Sequence, residues 1–141
     1  IKDFEYVLYD YENGTALLKT FRNTPISFSP NSIGFTDFEF LFHEFTLNLT
    51  GKYVGRQFMD NTGDKEKSID PYKLANASLA WKNTLKNGTF IQLQVQIFNL
   101  TDVKYSSNGY TYSYVYGDLI TENFLYPQAG RHLMVGVNVG F

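Results

Sequence analysis

RHLMVGVNVGF, residues Arg131–Phe141, closes the chain and decides how the rest is read. Leu133, Val135, Val137, Val139 and Phe141 recur at every second position, and His132, Met134, Gly136, Asn138 and Gly140 fill the alternate ones. Side chains of a strand point to its two faces in turn, so this is a β-strand with one apolar face and one face of small and polar groups. The second face suits water better than a core. At about 3.3 Å per residue the stretch extends about 36 Å, and a tilt of about 40° projects it to about 28 Å, close to the roughly 25 Å apolar band of a membrane barrel. The length fits a bilayer crossing; the alternative is an amphipathic edge strand of a water-soluble sheet.

Working back along the chain, the pattern returns. Phe90–Phe98 sets Ile91, Leu93, Val95 and Ile97 against Gln92, Gln94 and Gln96, and a three-glutamine face is a wetted face. The preceding Leu85-Lys86-Asn87-Gly88 reads as a tight turn, Asn-Gly supplying positive φ. Tyr72–Asn83 places Ala75, Ala77, Leu79 and Trp81 on one side and Asn76, Ser78 and Ala80 on the other. After a tight turn at His43-Glu44, the apolar Phe45, Leu47, Leu49 and Tyr53 alternate with Thr46, Asn48, Thr50, Lys52 and Arg56. Lysine and arginine are costly in a dry core and comfortable in a wet lumen. In Ser32–Phe42, Ile33 and Phe35 hold one parity and Phe38, Phe40 and Phe42 the other, which predicts a bulge near Thr36 or Asp37. Ile1–Tyr9 reads as the end of one more strand.

Tyr11–Ser29, Met59–Pro71 and Asn99–Tyr126 show no sustained period and read as long loops, the last holding a strand extension where Tyr110, Tyr112, Tyr114 and Tyr116 recur at period two. About six strands are therefore expected, with long loops and tight turns in strict alternation. In an up-and-down sheet that places every long loop at one end, as in outer-membrane barrels. The expected fold is all-β, an antiparallel up-and-down transmembrane β-barrel. Trp81, beside a short turn, then belongs to the girdle at that end, and Tyr53 and Tyr105 lie nearer the other.

Composition narrows the function classes. A formal net charge of −2 leaves no basic footprint for nucleic acid. With no cysteine there are no disulfides, thiol nucleophiles or cysteine metal sites. Thirteen Phe and eleven Tyr against one Trp exceed what a soluble domain usually carries and suit interfacial aromatic belts, although a sandwich core absorbs Phe too. No window approaches eighteen consecutive apolar residues, so a helical membrane span is not expected. The chain opens at Ile1 without an initiator Met or a signal peptide, and is expected to be a mature chain or a piece of a longer one.

Several motifs go beyond a generic barrel. Tyr53-Val54-Gly55-Arg56-Gln57-Phe58-Met59-Asp60-Asn61-Thr62, Asp70-Pro71-Tyr72, Phe98-Asn99-Leu100-Thr101-Asp102-Val103-Lys104-Tyr105, Ser107-Asn108-Gly109-Tyr110 and Tyr126-Pro127-Gln128-Ala129-Gly130-Arg131, in this order and ending on Phe141, resemble the C-terminal portion of TonB-dependent outer-membrane receptors of the Bacteroidetes style. The likeness covers most of the chain after about Asn31. It implies that residues 1–141 are the last six or so strands of a twenty-two-stranded barrel in the bacterial outer membrane, without the N-terminal plug domain. It further implies uptake of a scarce nutrient (an iron chelate or siderophore, haem, a cobamide or a glycan) with TonB energy coupling through the missing N-terminal part. Outer-membrane lipid and the barrel assembly machinery are the other implied partners. The alternating Leu133, Val135, Val137, Val139 and terminal Phe141 resemble the assembly signal of such barrels.

The candidate residues follow. Asn48, Lys52, Arg56, Gln92, Gln94 and Gln96 are expected to face the lumen. Asn108, Tyr110, Tyr112 and Tyr114 are expected to contact ligand, since phenols on one face can stack on a flat or sugar-like molecule; an interfacial girdle or a hairpin extension is the plainer reading. No cofactor, no metal and no enzymatic activity are expected: His43 and His132 lack partners at metal-ligand spacing, Asp60, Asp64, Glu66 and Asp70 match no calcium-loop spacing and read as a solvated loop, and no nucleophile, base or phosphate cradle is evident. The N-x-S/T triplets at Asn13, Asn48, Asn76, Asn87 and Asn99 read as chance in a polar-lined barrel. Two rivals remain. A complete eight-stranded barrel, adhesive or structural, predicts a further strand hidden in each of Tyr9–Ser29 and Tyr105–Tyr126. A soluble lipocalin-like lipid carrier turns the apolar faces inward.

Overall fold

A computed structural model describes residues 1–141. Its strands are β1 (Asp3–Asp10), β2 (Thr15–Arg22), β3 (Ile33–Phe42), β4 (Phe45–Val54), β5 (Gln57–Phe58), β6 (Ser68–Ile69), β7 (Tyr72–Thr84), β8 (Phe90–Phe98), β9 (Ser106–Tyr116), β10 (Asp118–Pro127) and β11 (His132–Gly140), with one 3₁₀ turn over Lys65–Lys67. The protein is all-β and its long ladders are antiparallel, as the alternation requires. The chain divides into two units, a meander of residues 33–54, 72–104 and 129–141 and a hairpin unit of residues 1–32, 55–71 and 105–128.

The meander is one open five-stranded sheet, order β11-β8-β7-β4-β3. Each strand pairs antiparallel with the one before it, so the sheet runs up and down without a crossover. The edges are β3 and β11, each with a single neighbour. The β3–β4 and β7–β8 connections are short. Phe42 pairs with Phe45 across His43-Glu44, where His43 takes φ +54°, the left-handed start that lets a two-residue hairpin follow the strand twist. Gly88 does the same work at φ +88° before β8, and its N–H closes on the Leu85 carbonyl at 3.0 Å. The other two connections are long, as expected.

Two expectations fail in this unit. The β3–β4 register is unbroken from Ile33–Val54 to Phe42–Phe45, so no bulge occurs at Thr36 or Asp37. Ile33 and Phe35 simply stay on the polar face: β3 is an edge strand with no packed layer against it, and an unbroken ladder keeps every hydrogen bond that a bulge would lose. Arg56 is not on a strand face at all, because β4 ends at Val54 and the chain leaves the sheet there.

The hairpin unit is where the loop assignments are corrected. Tyr11–Ser29 contains β2, paired with β1 over their whole length. The Asp10 carboxylate accepts from the Glu12 and Asn13 backbone N–H groups at 3.0 and 3.1 Å and from Asn13 Nδ2 at 2.9 Å, and Gly14 at φ +65° completes the reversal. The Asn13 contacts hold the Asp10 carboxyl below the usual carboxylate range. Asn99–Tyr126 contains both β9 and most of β10, reversed at Gly117 with φ +68°. The order is β10-β9-β1-β2, so β1 belongs to this sheet and not to the meander. Met59–Pro71 holds the 3₁₀ turn and β6, which pairs with β5. Behind the β1 and β9 strands lie the buried Leu8, Met59, Ile69, Thr62, Lys67 and Ser113, a small core with as many polar as apolar members.

Candidate functional site

The meander's register sorts its side chains into two faces. One row runs Phe40, Leu47, Leu79, Val95, Val135; the next runs Phe42, Phe45, Trp81, Leu93, Val137. This face is apolar across all five strands and uncovered: Phe40, Leu79 and Val135 are 55%, 46% and 67% exposed. The assembly-signal residues Leu133, Val135, Val137 and Val139 lie along its β11 edge, and Phe141 follows fully exposed. A contiguous apolar surface this size on a folded chain marks a contact with something other than water.

The opposite face is mostly polar and rich in amides, with Asp37, Glu39 and Lys52 charged and Ile33, Phe35, Leu41, Leu74 and Met134 apolar. Its central row runs Glu39, Asn48, Ser78, Gln96, Met134, with Gln94 and Gln92 following on β8. Asn48 Nδ2 donates to Asp37 at 2.8 Å and Asn76 Nδ2 to Thr50 Oγ1 at 3.1 Å, both across strands. A hollow of about 220 Å³ opens among Gln92, Gln94 and Asn138, over Gly136, where an added Cβ would meet nothing within 4 Å. Lys52 shares this face, opposite Phe35 and Leu74. Five of the six expected lumen residues are thus on one surface, and Arg56 is apart in the hairpin unit, paired with Asp70 at 2.8 Å and donating to Ser68 Oγ at 2.7 Å.

The tyrosine set lies in the hairpin unit, on β9 rather than in a loop. Asn108, Tyr110, Tyr112 and Tyr114 share one face, and Asn108 Oδ1 accepts from the Gly109 N–H at 2.8 Å. The rings form a ladder. Phe124 on β10 stacks on Tyr110 (centroids 4.8 Å, planes 9°) and on Tyr112 (6.1 Å, 6°), and Tyr112 stacks on Tyr114 (5.9 Å, 21°). Tyr11 meets Tyr114 edge-on at 5.6 Å, and Tyr9 meets Tyr11 at 4.9 Å. Much of each ring face is spent on its neighbour, so edges and phenol oxygens are what the ladder offers. The Tyr112 hydroxyl donates to the Glu122 carboxylate, which pushes its pKa up to about 12, with burial and the nearby charge adding to the shift.

Other candidates are accounted for locally. His132 stacks on Phe98 at 5.0 Å, and His43 serves the turn. The acidic loop residues are dispersed among separate partners: Asp60 with Thr62 and Lys67, Asp64 capping the 3₁₀ turn through the Glu66 N–H, Asp70 with Arg56. Two positions escaped the sequence reading. Asn99, 4% exposed at φ +51°, binds the Val103 N–H and carbonyl, each at 2.9 Å, and the Ala129 carbonyl at 3.3 Å. It locks the exit from β8 to the entry of β11, and a left-handed Asn is the one signal its sequence offered. Lys67, 5% exposed, forms an ion pair with Asp60 at 3.2 Å and sits 4.9 Å over the Tyr6 ring. A lysine in a hydrophilic stretch gives no sequence sign of burial.

The fold and these surfaces define an all-β protein of antiparallel sheets whose main sheet is two-faced. No family model, curated protein or solved structure matches the chain.

Proposed function

We propose that the chain is the C-terminal wall segment of a TonB-dependent receptor that imports a scarce nutrient across the bacterial outer membrane. The observation that carries the proposal is the uncovered apolar face of five up-and-down strands backed by a mostly polar, amide-rich face. That pairing suits hydrocarbon on one side and a wet lumen on the other; the three inner strands are paired on both sides, and the open edges of β3 and β11 are what further barrel strands would cover, as a bilayer demands. The motif likeness supplies the family. In this reading β3 and β11 pair with strands of the rest of a twenty-two-stranded barrel, the plug and the TonB contact belong to the same full protein, and the β9–β10 hairpin contacts the nutrient through its phenols. An immunoblot of outer-membrane fractions tests it: the reading requires a polypeptide several times longer than 141 residues, extracted by detergent alone. A band matching the short chain in the soluble fraction refutes it. Tyr110→Ala with Tyr112→Ala in the full receptor should weaken nutrient binding, and unchanged affinity removes the hairpin from the site.

A second reading, a complete small outer-membrane barrel, draws on the strands found in both stretches where it predicted them, β2 and β9–β10. Those strands form a sheet of their own with β1 and add nothing to the meander, which favours the receptor reading.

A further inference from the structure

The hairpin unit encloses a second kind of surface, independent of the membrane proposal. Between the inner face of β1–β2, Ser113 of β9 and the 62–67 stretch lies a cavity of about 150 Å³. Its walls include Leu8, Phe21 and Leu119, and its polar lining is Lys19, Lys67, Tyr6, Thr62, Ser113 and Asp64. Thr62, Lys67 and Ser113 are each more than nine-tenths buried, so this is a built polar end and not a surface dent.

The polar groups are unequally spent. Thr62 Oγ1 gives its proton to Asp60 at 2.5 Å and accepts from the Asp64 N–H at 3.3 Å. Ser113 Oγ and Thr121 Oγ1 share one bond at 2.9 Å, and Tyr6 Oη accepts from the Ser113 N–H at 3.2 Å. Asp64 spends one oxygen on the Glu66 N–H. What is left over is mostly donors: the Tyr6 hydroxyl proton, the Lys67 N–H groups not facing Asp60, and Lys19, which takes part in none of the ion pairs. Against these stands one free Asp64 oxygen. Apolar walls together with a few unspent donors are the make-up of a small-ligand site.

We infer that this cavity binds a compact organic carboxylate with an apolar body, its carboxylate received by Lys19, Lys67 and the Tyr6 hydroxyl and its body lying against Leu8, Phe21 and Leu119. Lys67 keeps its place with or without ligand, because the Asp60 ion pair and the Tyr6 ring hold it. Lys19 is the exposed arm that closes on the anion.

Calorimetric titration of the purified full chain in detergent micelles tests this, with benzoate, benzamide and benzylamine as probes of equal size. Benzoate should saturate at one site, with benzamide and benzylamine at least tenfold weaker. Lys19→Gln should weaken benzoate about fivefold, the range of a partly exposed charge pair, and leave benzamide unchanged. Lys67→Met alone strands a buried carboxylate, so it is combined with Asp60→Asn; that pair of changes should abolish the preference for benzoate while far-ultraviolet circular dichroism still reports the strands. Three probes binding alike, no saturable benzoate binding, or an unchanged preference in both variants overturns the inference. None of these outcomes bears on the receptor reading, whose tests are the length and detergent extraction of the full polypeptide and the substitutions at Tyr110 and Tyr112, neither of which lines this cavity.

Discussion

Leu79→Arg asks what the apolar face touches. Leu79 sits near the middle of β7, the central strand of the meander, between Leu47 and Val95, and is 46% exposed. No acidic side chain stands beside it on the ladder to receive a guanidinium. If the face meets water, the change is an ordinary surface substitution and shifts the unfolding free energy by about 0.5 kcal/mol or less. If it meets hydrocarbon, a cation near mid-depth costs about 2–4 kcal/mol, roughly 30- to 700-fold in the folding equilibrium. Gln94→Arg is the internal control: it lies on the other face, between Ala80 and Gly136, where a lumen charge should cost little. The assay is urea-dependent folding into phosphatidylcholine vesicles, followed by the emission of Trp81, the only tryptophan, which stands in the apolar row between Phe45 and Leu93. The expected result is a loss of about 2 kcal/mol or more for Leu79→Arg and under about 1 for Gln94→Arg. Equal costs for the two variants would refute the assignment of faces to solvents.

Asn99→Ala removes three side-chain hydrogen bonds at about 1 kcal/mol each and puts a Cβ residue without a polar arm at φ +51°, costing about 1 more, so about 4 kcal/mol should be lost in urea unfolding; Asn99→Gly should recover the backbone share, and a loss below about 1 contradicts the lock. In an alkaline absorbance titration, Tyr112 should give a late step near its pKa of about 12. The raised value means that the Tyr112–Glu122 contact stabilises the fold fully below the ordinary phenol value of 10 and loses that effect as pH climbs through about 12; Tyr112→Phe should delete the late step and Glu122→Gln should move it down. Gly109→Ala places a Cβ 2.6 Å from the Phe124 carbonyl oxygen, a backbone atom, and should open the β9–β10 ladder to amide hydrogen exchange at a cost of about 1–3 kcal/mol, whereas Gly136→Ala, with nothing within 4 Å, should be neutral or stabilising.

What the sequence announced is what periodicity encodes. Of the meander strands' residues only Val54 and Tyr72, at one end of β4 and β7, are buried, so one face is free to be apolar and the other largely polar, and alternation survives over the length of β8 and β11 without interruption. Turn chemistry agreed with it at Asn87-Gly88. The hairpin unit lacks such a rule. β2 reads TALLKTFR, with Ala16, Leu17 and Leu18 adjacent, because as an edge strand it meets a partly polar core on one side and solvent on the other. Its real signal was Asn13-Gly14 set between two strand-length stretches, a hairpin mark that the absence of alternation outweighed. β9 showed its tyrosines at period two, yet its partner β10 mixes Ile120, Glu122 and Phe124 on the same face, and only the pairing reveals that Phe124 completes the stack.

The site residues divide along the same line. Membership of a face is local information: once β8 is a strand, Gln92, Gln94 and Gln96 must point one way. Burial of Lys67 is not local, since it depends on Tyr6 of the distant β1 joining Asp60 of its own loop around one ammonium. A segment rich in Asp, Lys and Glu reads as solvated because charges avoid burial unless paired, and pairing is a property of the folded chain. Arg56 makes the converse case. Its parity placed it on the polar face of β4, but parity holds only while the strand lasts, and β4 ends at Val54; the Gly55 N–H still bonds the Ser32 carbonyl at 2.9 Å, in register with β3, and the chain leaves the sheet directly after it. A strand's faces follow from its sequence, while its ends follow from partners, and functional side chains that sit past an end are therefore the ones that pattern reading misplaces.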